Sequence, residues 1–401
     1  MLRFLTAGES HGQALVATLD GVPAGLLLDV PALDAQLRRR QGGYGRGRRM
    51  AIESDRAEIL AGVRHGRTTG APIALLIRNR DWVNWQQTMH VEPDMPEGAT
   101  GARRAAVNRP RPGHADLAGA IKYGHDDIRD VLERASARET AARVAIGAIA
   151  RQLLAQFGIG ITSHVTAIGP HVLPDGRDVG FDEALALPDD SPLRCVDATL
   201  QLAMVAAIDA AREAGDTLGG AFEVLVRGVP PGLGSYTQWD RKLDGRLAQA
   251  LMCIHAIKAV GLGIGPEVAV RPGSLVHDEI LPPEGGRQRP ARPTNRAGGL
   301  EGGVTNGEEL RITGFMKPIA TLMQPLRSVN LETLEDAPAA IERSDVCAVP
   351  AAAVVGEAMV AIVVADAFLE KFGSDSVEEI ARHYEATREH VERRFSPRAT
   401  V

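Results

Sequence analysis

Five short stretches of the 401-residue chain carry side chains that could do chemistry together. The densest runs from Arg38 to Arg49, where six of twelve residues are arginine and four are glycine. Guanidinium groups grip phosphate and carboxylate through planar, charge-assisted and often bidentate hydrogen bonds. Glycine turns the backbone through positive φ and brings amides close to a ligand. The loop reads as an anion-binding element; a solvated basic helix end and an Arg-Gly nucleic-acid segment stacking bases on Tyr44 are the other readings. Upstream, Gly8-Glu9-Ser10-His11-Gly12 sets an acid, a hydroxyl and an imidazole between two glycines, a turn able to present His11 to a cleft. Arg109-Pro110-Arg111-Pro112-Gly113-His114-Ala115-Asp116 places Arg111 three residues before His114 on a rigid turn, which suits anion binding coupled to proton transfer. Ser136-Ala137-Arg138-Glu139 fits a capping box, so a helix N-terminus with free amides stands there, flanked by Arg134 and Arg138. Arg343-Ser344-Asp345 precedes a strongly apolar stretch. Each has a plainer reading as well: a structural histidine, a polar surface turn, a simple cap.

These stretches need elements to hold them. Residues 2–7 read as a strand leading to His11, and 13–29 as a β-hairpin about the turn Asp20 to Gly25. Pro31 suits an early helical position, Leu33 and Leu37 lie one turn apart, and the helix they mark delivers Arg38, Arg39 and Arg40 to the loop. Residues 71–77 read as a buried strand and 79–85 as a surface loop. The capped helix is expected to run to Phe157. Residues 160–250 show mixed α and β patterning without a chemical motif. Residues 273–303 are rich in Gly and Pro, with four glycines among the last six. That implies backbone passing close to a flat ligand or another chain, or else a flexible loop. From Val346 to Leu369 the chain is apolar except for Glu357 and Asp366, and no unbroken run reaches the ~18 residues of a membrane span. A buried central helix is expected from near Pro350 to Phe372, with Gly373 as its C-cap. Residues 376–395 read as a charged outer helix.

Composition narrows the class. With 44% apolar and 24% charged residues the chain is globular, and its length alone would allow two or three domains. Only 4% of residues are aromatic while glycine is plentiful, so close packing of small side chains is expected. A net charge of −6 argues against general nucleic-acid binding. Three cysteines without a CxxC suit a reducing cytosol, and the first residues lack the apolar core of a signal peptide, so a cytoplasmic protein without a membrane partner is expected. The sequence contains no GxxxxGK[ST], HExxH, GxSxG or strand-GxGxxG-helix pattern. The 11 histidines are scattered, which argues against a metal site.

Taken together, the motifs resemble those of the chorismate synthase family. Gly8 to Gly12, Gln41 to Arg49, Arg111 to Asp116, Glu133 to Thr140, Ala297 to Gly303, Lys317 to Thr321 and Arg343 to Pro350 run in the family's order over nearly the whole chain. The resemblance implies an α+β fold, with residues 1–401 forming one large β-α-β sandwich-like domain in place of the several domains that length allows. It implies a homotetramer and an FMN-dependent lyase that removes phosphate from 5-enolpyruvylshikimate 3-phosphate by anti-1,4-elimination, giving chorismate. By position, His11, His114 and Asp345 match the family's catalytic residues. Ser10, Arg40, Arg46, Arg49, Arg111 and Arg138 match its substrate-binding residues. Arg134, Ala135, Ser136, His255, Ala256 and Gly302 match its flavin site, as do Lys317, Pro318, Ile319, Ala320, Thr321 and Arg343. NADPH would enter only as a source of reducing equivalents, at Arg40 and Arg46, and an external flavin reductase is the other source. Residues 258–265 depart from the family, reading Lys-Ala-Val-Gly-Leu-Gly-Ile-Gly where relatives usually have Lys-Gly-Val-Glu-Ile-Gly.

The implied chemistry suits these side chains. A phosphate and two carboxylates call for several cations, which the arginine loop supplies. In the family's scheme reduced flavin lends electron density and takes up a proton, with no net redox change. His11 would protonate the leaving phosphate, His114 would stabilise the anionic reduced flavin, and Asp345, beside Arg343, would relay the proton. Histidine suits the first two roles because both of its protonation states are accessible near neutral pH. Two other classes remain open: an Arg-Gly RNA-binding protein without catalysis, and a flavoprotein oxidoreductase.

Overall fold

The computed structural model describes residues 1–47, 53–94, 98–101, 104–174, 176–283, 290–342 and 344–395. Arg49 and Arg343 lie outside them.

Among the described residues, two larger antiparallel sheets, three two-stranded ones and a set of helices make an α+β fold. The first sheet has the order Arg3–Ala7 (β1), Ala14–Asp20 (β2), Ile73–Arg78, Glu58–Ala61. Register sets Leu15 opposite Ile77, Ala17 opposite Leu75 and Leu19 opposite Ile73, so one face carries the apolar residues and is buried. The expected hairpin over 13–29 is not formed. β2 already has a neighbour on each edge, β1 and Ile73–Arg78, so residues 22–29 have no open edge to pair with. They run on with isolated bridges to Arg67 and Ser376. The hairpin is instead β1–β2, and its connection is the turn that holds His11.

The second sheet has the order Ile257–Leu262, Leu310–Met316, Gly220–Arg227, Gly160–Ile168, His171–Val172. Helix Thr140–Ala155 (preceded in the chain by Val30–Gln41, Asp116–Tyr123 and Arg129–Arg134, hence α4 after α1, α2 and α3) packs on the first sheet. The central helix, Val349–Phe372, packs on the second and against α4. Small residues permit the close approach: a Cβ at Gly147 would lie 2.5 Å from Ala358 Cα, and one at Gly356 would lie 2.6 Å from Phe222 Cε2. The central helix starts and stops where expected, ending on Gly373 at φ +98°. By length and composition it could cross a membrane despite its three acids, yet 89% of its most apolar window is buried inside the protein. Outside it lies the charged helix Val377–Phe395, anchored through buried Ile380.

Asp29 caps α1, accepting from Ala32 N at 3.0 Å. Its last turn ends in three consecutive arginines, and at about 100° of rotation per residue they point to three places. Arg38 is exposed. Arg39 turns into the core and makes two bonds to Glu357, at 2.8 and 2.9 Å. Arg40 faces a cleft. The arginine loop is thus not a single anion grip.

Glu357 is fully buried on the central helix and bonded also to Arg151, to Arg194 (3.4 Å) and to Ser163 Oγ (2.5 Å). Burial pushes its carboxyl up, but the three guanidiniums outweigh that and hold it well below the usual carboxylate range. A depressed carboxylate stabilises the fold above its unfolded value of about 4.3, and that contribution is lost as pH falls through the folded value. Glu357→Gln is expected to cost about 3–5 kcal/mol at pH 7, because buried guanidiniums lose their counter-charge. Urea unfolding should show the gap between variant and wild type narrowing as pH drops below about 4. A gap that stays constant with pH would contradict the assignment.

Candidate active site

Loops flanking both larger sheets, with the starts of α4 and the central helix, line a cleft of about 600 Å³, within the size range of small-molecule sites. The turn after β1 contributes Ser10 and His11. The end of α1 and the loop beyond contribute Arg40 and Arg46. Residues 111–115 bring Arg111 and His114, and the turn before α4 brings Ala135, Ser136 and Arg138. His255 and Ala256 come from just before Ile257–Leu262, Lys317, Ile319, Ala320 and Thr321 from just after Leu310–Met316, and Asp345 from the approach to the central helix. Three expected residues do not line it. Arg134 turns away to bond Thr6 and Gly8 backbone oxygens, Pro318 lies between two lining residues, and Gly302 sits beside Tyr236.

Each histidine of the cleft has a carboxylate behind it. His11 Nδ1 lies 2.9 Å from both oxygens of Glu133, and its ring stacks on Trp85 with centroids 3.7 Å apart. His114 Nδ1 lies 2.5 Å from Asp116 Oδ1. Asp116 is wholly buried and also receives Arg111 through Nε at 2.8 Å and through its backbone N–H at 3.0 Å. Burial pushes the Asp116 carboxyl up, and the hydrogen bonds from His114 and Arg111 overcome it, holding the group below the ordinary carboxylate range. Arg111 gives Nη1 to Thr321 Oγ1 at 2.9 Å, so much of its donor capacity is committed inside the wall.

Two buried arginines are less fully satisfied. Arg138 gives Nη1 to Asp55 at 2.7 Å and Nε to Asn79 at 3.0 Å, while Nη2 makes no hydrogen bond among the described residues and stands 3.7 Å from Glu53. Arg40 bonds Thr140 and Ala137, each at 2.9 Å, and leaves Nη1 without a hydrogen bond among the described residues, 3.6 Å from Asp55. Burial pushes the Arg40 guanidinium down to about 9; Asp55 opposes this, and the neighbouring Arg138 and Arg46 add to it. It is still a cation at neutral pH, held in low dielectric with a donor to spare. His255 Nδ1 is buried without a hydrogen bond as well, 3.6 Å from Glu139. Burial moves this imidazole down, so it is neutral near pH 7.

Asp345 takes its cation from the arginine loop. Oδ2 accepts from Arg46 Nη1 and Oδ1 from the Gly47 amide, both at 2.6 Å. The loop is held there by backbone, with Val346 N–H donating to Gly45 O at 2.8 Å. A Cβ at Gly47 would lie 2.8 Å from Ser344 O, so glycine is what lets the two segments touch.

Ser136 caps a 3₁₀ turn, accepting from Arg138 N at 3.3 Å, before α4 begins. The reciprocal half of the capping box is absent: Glu139 pairs with Arg143 at 2.7 Å, one turn along. Residues 79–85 are not a surface loop. Arg80–Asn84 is a 3₁₀ helix, and Trp85 is buried, its Nε1–H bonding Asp81 at 3.1 Å. Two of the last glycines of the 273–303 region serve the chain's own backbone: a Cβ at Gly298 would lie 2.4 Å from Gly263 N, and one at Gly299 would lie 2.7 Å from Glu309 O. Tyr44, offered as a base-stacking residue, gives its hydroxyl to Asp209 at 2.8 Å.

Sequence reasoning missed Trp85, Arg104 and Lys258 in the cleft, and Asp55 beneath it. No local pattern marks them. Glu133 and Asp116 lie inside recognised motifs, but only their contacts reveal what they hold.

Such a cleft has the cations and the imidazoles to hold a small polyanion beside groups that can carry protons. The family model described as chorismate synthase matches residues 2–369. A chorismate synthase from Solibacter usitatus (strain Ellin6076) is 56% identical over 393 residues, covering 98% of this chain and 99% of the relative. One from Moorella thermoacetica (strain ATCC 39073 / JCM 9320) is 57% identical over 392 residues, covering 98% and 100%. A solved structure, "Crystal Structure of Chorismate Synthase", superposes with a TM-score of 0.75 at 44% identity, covering 98% of both chains. The chain belongs to the chorismate synthase family.

Proposed function

We propose that the chain is a lyase of aromatic biosynthesis that eliminates phosphate from 5-enolpyruvylshikimate 3-phosphate to give chorismate, using bound reduced FMN. The observation that carries this reading is a pair of buried cations, Arg40 and Arg138, that line the same cleft as His11 and have donors without a hydrogen bond among the described residues. Buried guanidinium donors of this kind suit a phosphate or carboxylate oxygen.

The residues present fit a flat cofactor as well. Ala135, Ala137, Ala351 and Ala352 give a floor of small side chains, and Ala256 holds a left-handed backbone at φ +65° beside it. When bound, reduced flavin supplies electron density to the substrate and recovers it, so the reaction has no net redox change. His255, Ala256, Lys317 and the turn at Ser136 would hold it, with NADPH or an external reductase as the source of electrons. His11 donates a proton to the departing phosphate. His114, held by Asp116 and Arg111, would offer a hydrogen bond to the cofactor when it is bound. Asp345 accepts the proton removed from the substrate. Arg40, Arg46 and Arg138 bind the substrate's anionic groups, and Arg111 orients His114 through Asp116. The protein is read as one β-α-β layered domain, cytoplasmic and assembled as a homotetramer.

Calorimetric titration with the phosphorylated substrate tests the reading: binding should be tight and should weaken as salt rises. Arg46→Lys keeps the charge but loses the planar fork, and should weaken binding by about 1–3 kcal/mol. No heat of binding in the wild type would overturn the proposal. Equal affinity in Arg46→Lys would reduce Arg46 to a source of field.

A further inference from the structure

Glu133 belongs to no role assigned so far. It sits at the end of α3 with its side chain wholly buried, and it is joined to the His11 turn at three points. Its backbone oxygen accepts from Ser10 N at 2.9 Å, its Oε2 accepts from His11 N at 2.8 Å, and both oxygens reach His11 Nδ1 at 2.9 Å. Among the described residues the one other ion pair of Glu133 is with Arg129, whose Nη1 stands 3.7 Å from Oε1. On the ring's flat side lies Trp85, tilted by 17° from the imidazole plane. Trp85 is itself fixed by Asp81 and covered by Arg104, whose guanidinium carbon stands 3.9 Å from the ring centroid. The imidazole is therefore held at its edge and over its face.

We propose that Glu133 is a positioning residue that fixes the tautomer and orientation of His11, so that Nε2 is the nitrogen offered to the cleft. A carboxylate only accepts hydrogen bonds, so the proton at this contact belongs to Nδ1. Neutral His11 is then the Nδ1–H tautomer, and the proton it gains as an imidazolium resides on Nε2. In the elimination that proton passes from Nε2 to a phosphate oxygen while the C–O bond breaks and its electron pair leaves with phosphate. His11 returns to the Nδ1–H form already bonded to Glu133, with no ring rotation. A buried carboxylate orienting a catalytic imidazole in this way is a recurring device in enzymes that move protons. This inference rests on His11 being the acid, and its test separates the two claims.

With ¹⁵N-labelled histidine in the ligand-free protein, His11 identified by its absence from His11→Ala, the neutral ring should carry its proton on Nδ1. A proton on Nε2, with Nδ1 bare, would overturn the proposal without any reference to turnover. In single turnover with reduced FMN, Glu133→Gln should lose about 10²-fold or more, within the range available to a general acid, while substrate KM and flavin affinity stay within about twofold. On a His11→Ala background the same substitution should cause no further loss, because Glu133 acts through His11. A loss of equal size on both backgrounds would make Glu133 merely structural. A wild-type rate in His11→Ala would instead remove His11 as the acid, while the nitrogen measurement still decides what Glu133 does.

Discussion

Replacing His11 with Ala is expected to slow turnover by about 10²–10⁴-fold, the usual range for a lost general acid, and to leave substrate and flavin binding nearly intact. The expectation follows from where the ring stands. His11 lines the cleft with Arg40 and Arg138, which have donors to spare for an anion, and its own Nδ1 is engaged by Glu133. On the proposed reading Nε2 serves the ligand, while phosphate affinity resides with the arginines. A stopped-flow assay limited by chemistry measures the rate, and calorimetry measures both affinities. A wild-type rate would take His11 out of the proton transfer; a large loss of substrate affinity with an unchanged rate would make it a binding residue.

Asp345→Asn should be as damaging to turnover, for a different reason. The carboxylate stands at the cleft wall between Arg46 Nη1 and the Gly47 amide. Asn can still accept from Gly47 but cannot take up a proton. If Asp345 receives the proton removed from substrate, the variant should bind flavin, retain its fold and turn over about 10²–10⁴-fold more slowly. If Asp345 only holds Arg46 and the loop in place, the variant should bind substrate more weakly and run at a near-normal rate once both ligands are bound. Single turnover with reduced FMN at saturating substrate, beside a flavin titration, separates these outcomes.

The parts legible in the sequence were those with a local signature. Gly373 closing a long apolar run gave the central helix to within a residue at each end. Pro31 with Leu33 and Leu37 marked α1, whose Asp29 cap then appeared in the structure. The turns holding His11 and His114 were recognisable from glycine and proline alone. What was not legible depends on partners far away in the chain. Arg46 meets Asp345 across 299 positions, and Arg138 meets Asp55 across 83. Residues 79–85 look polar enough for a surface loop, but Trp85 is buried because it packs flat on His11 from a distant turn. The hairpin over 13–29 failed for a related reason: turn chemistry at Gly21 and Pro23 was visible, whereas the competition between strands for both edges of β2 was not. Likewise three adjacent arginines read as one basic patch, until helical rotation sends Arg39 into the core and Arg40 into the cleft.

The most direct test mixes the protein anaerobically with chemically reduced FMN and 5-enolpyruvylshikimate 3-phosphate, recording chorismate, released phosphate and the flavin spectrum together. One chorismate and one phosphate should appear for each substrate consumed, with the flavin still reduced at the end and no product when reduced flavin is left out. Product formed equally well without reduced flavin, or one flavin oxidised for every product released, would contradict a flavin-dependent elimination in this cleft.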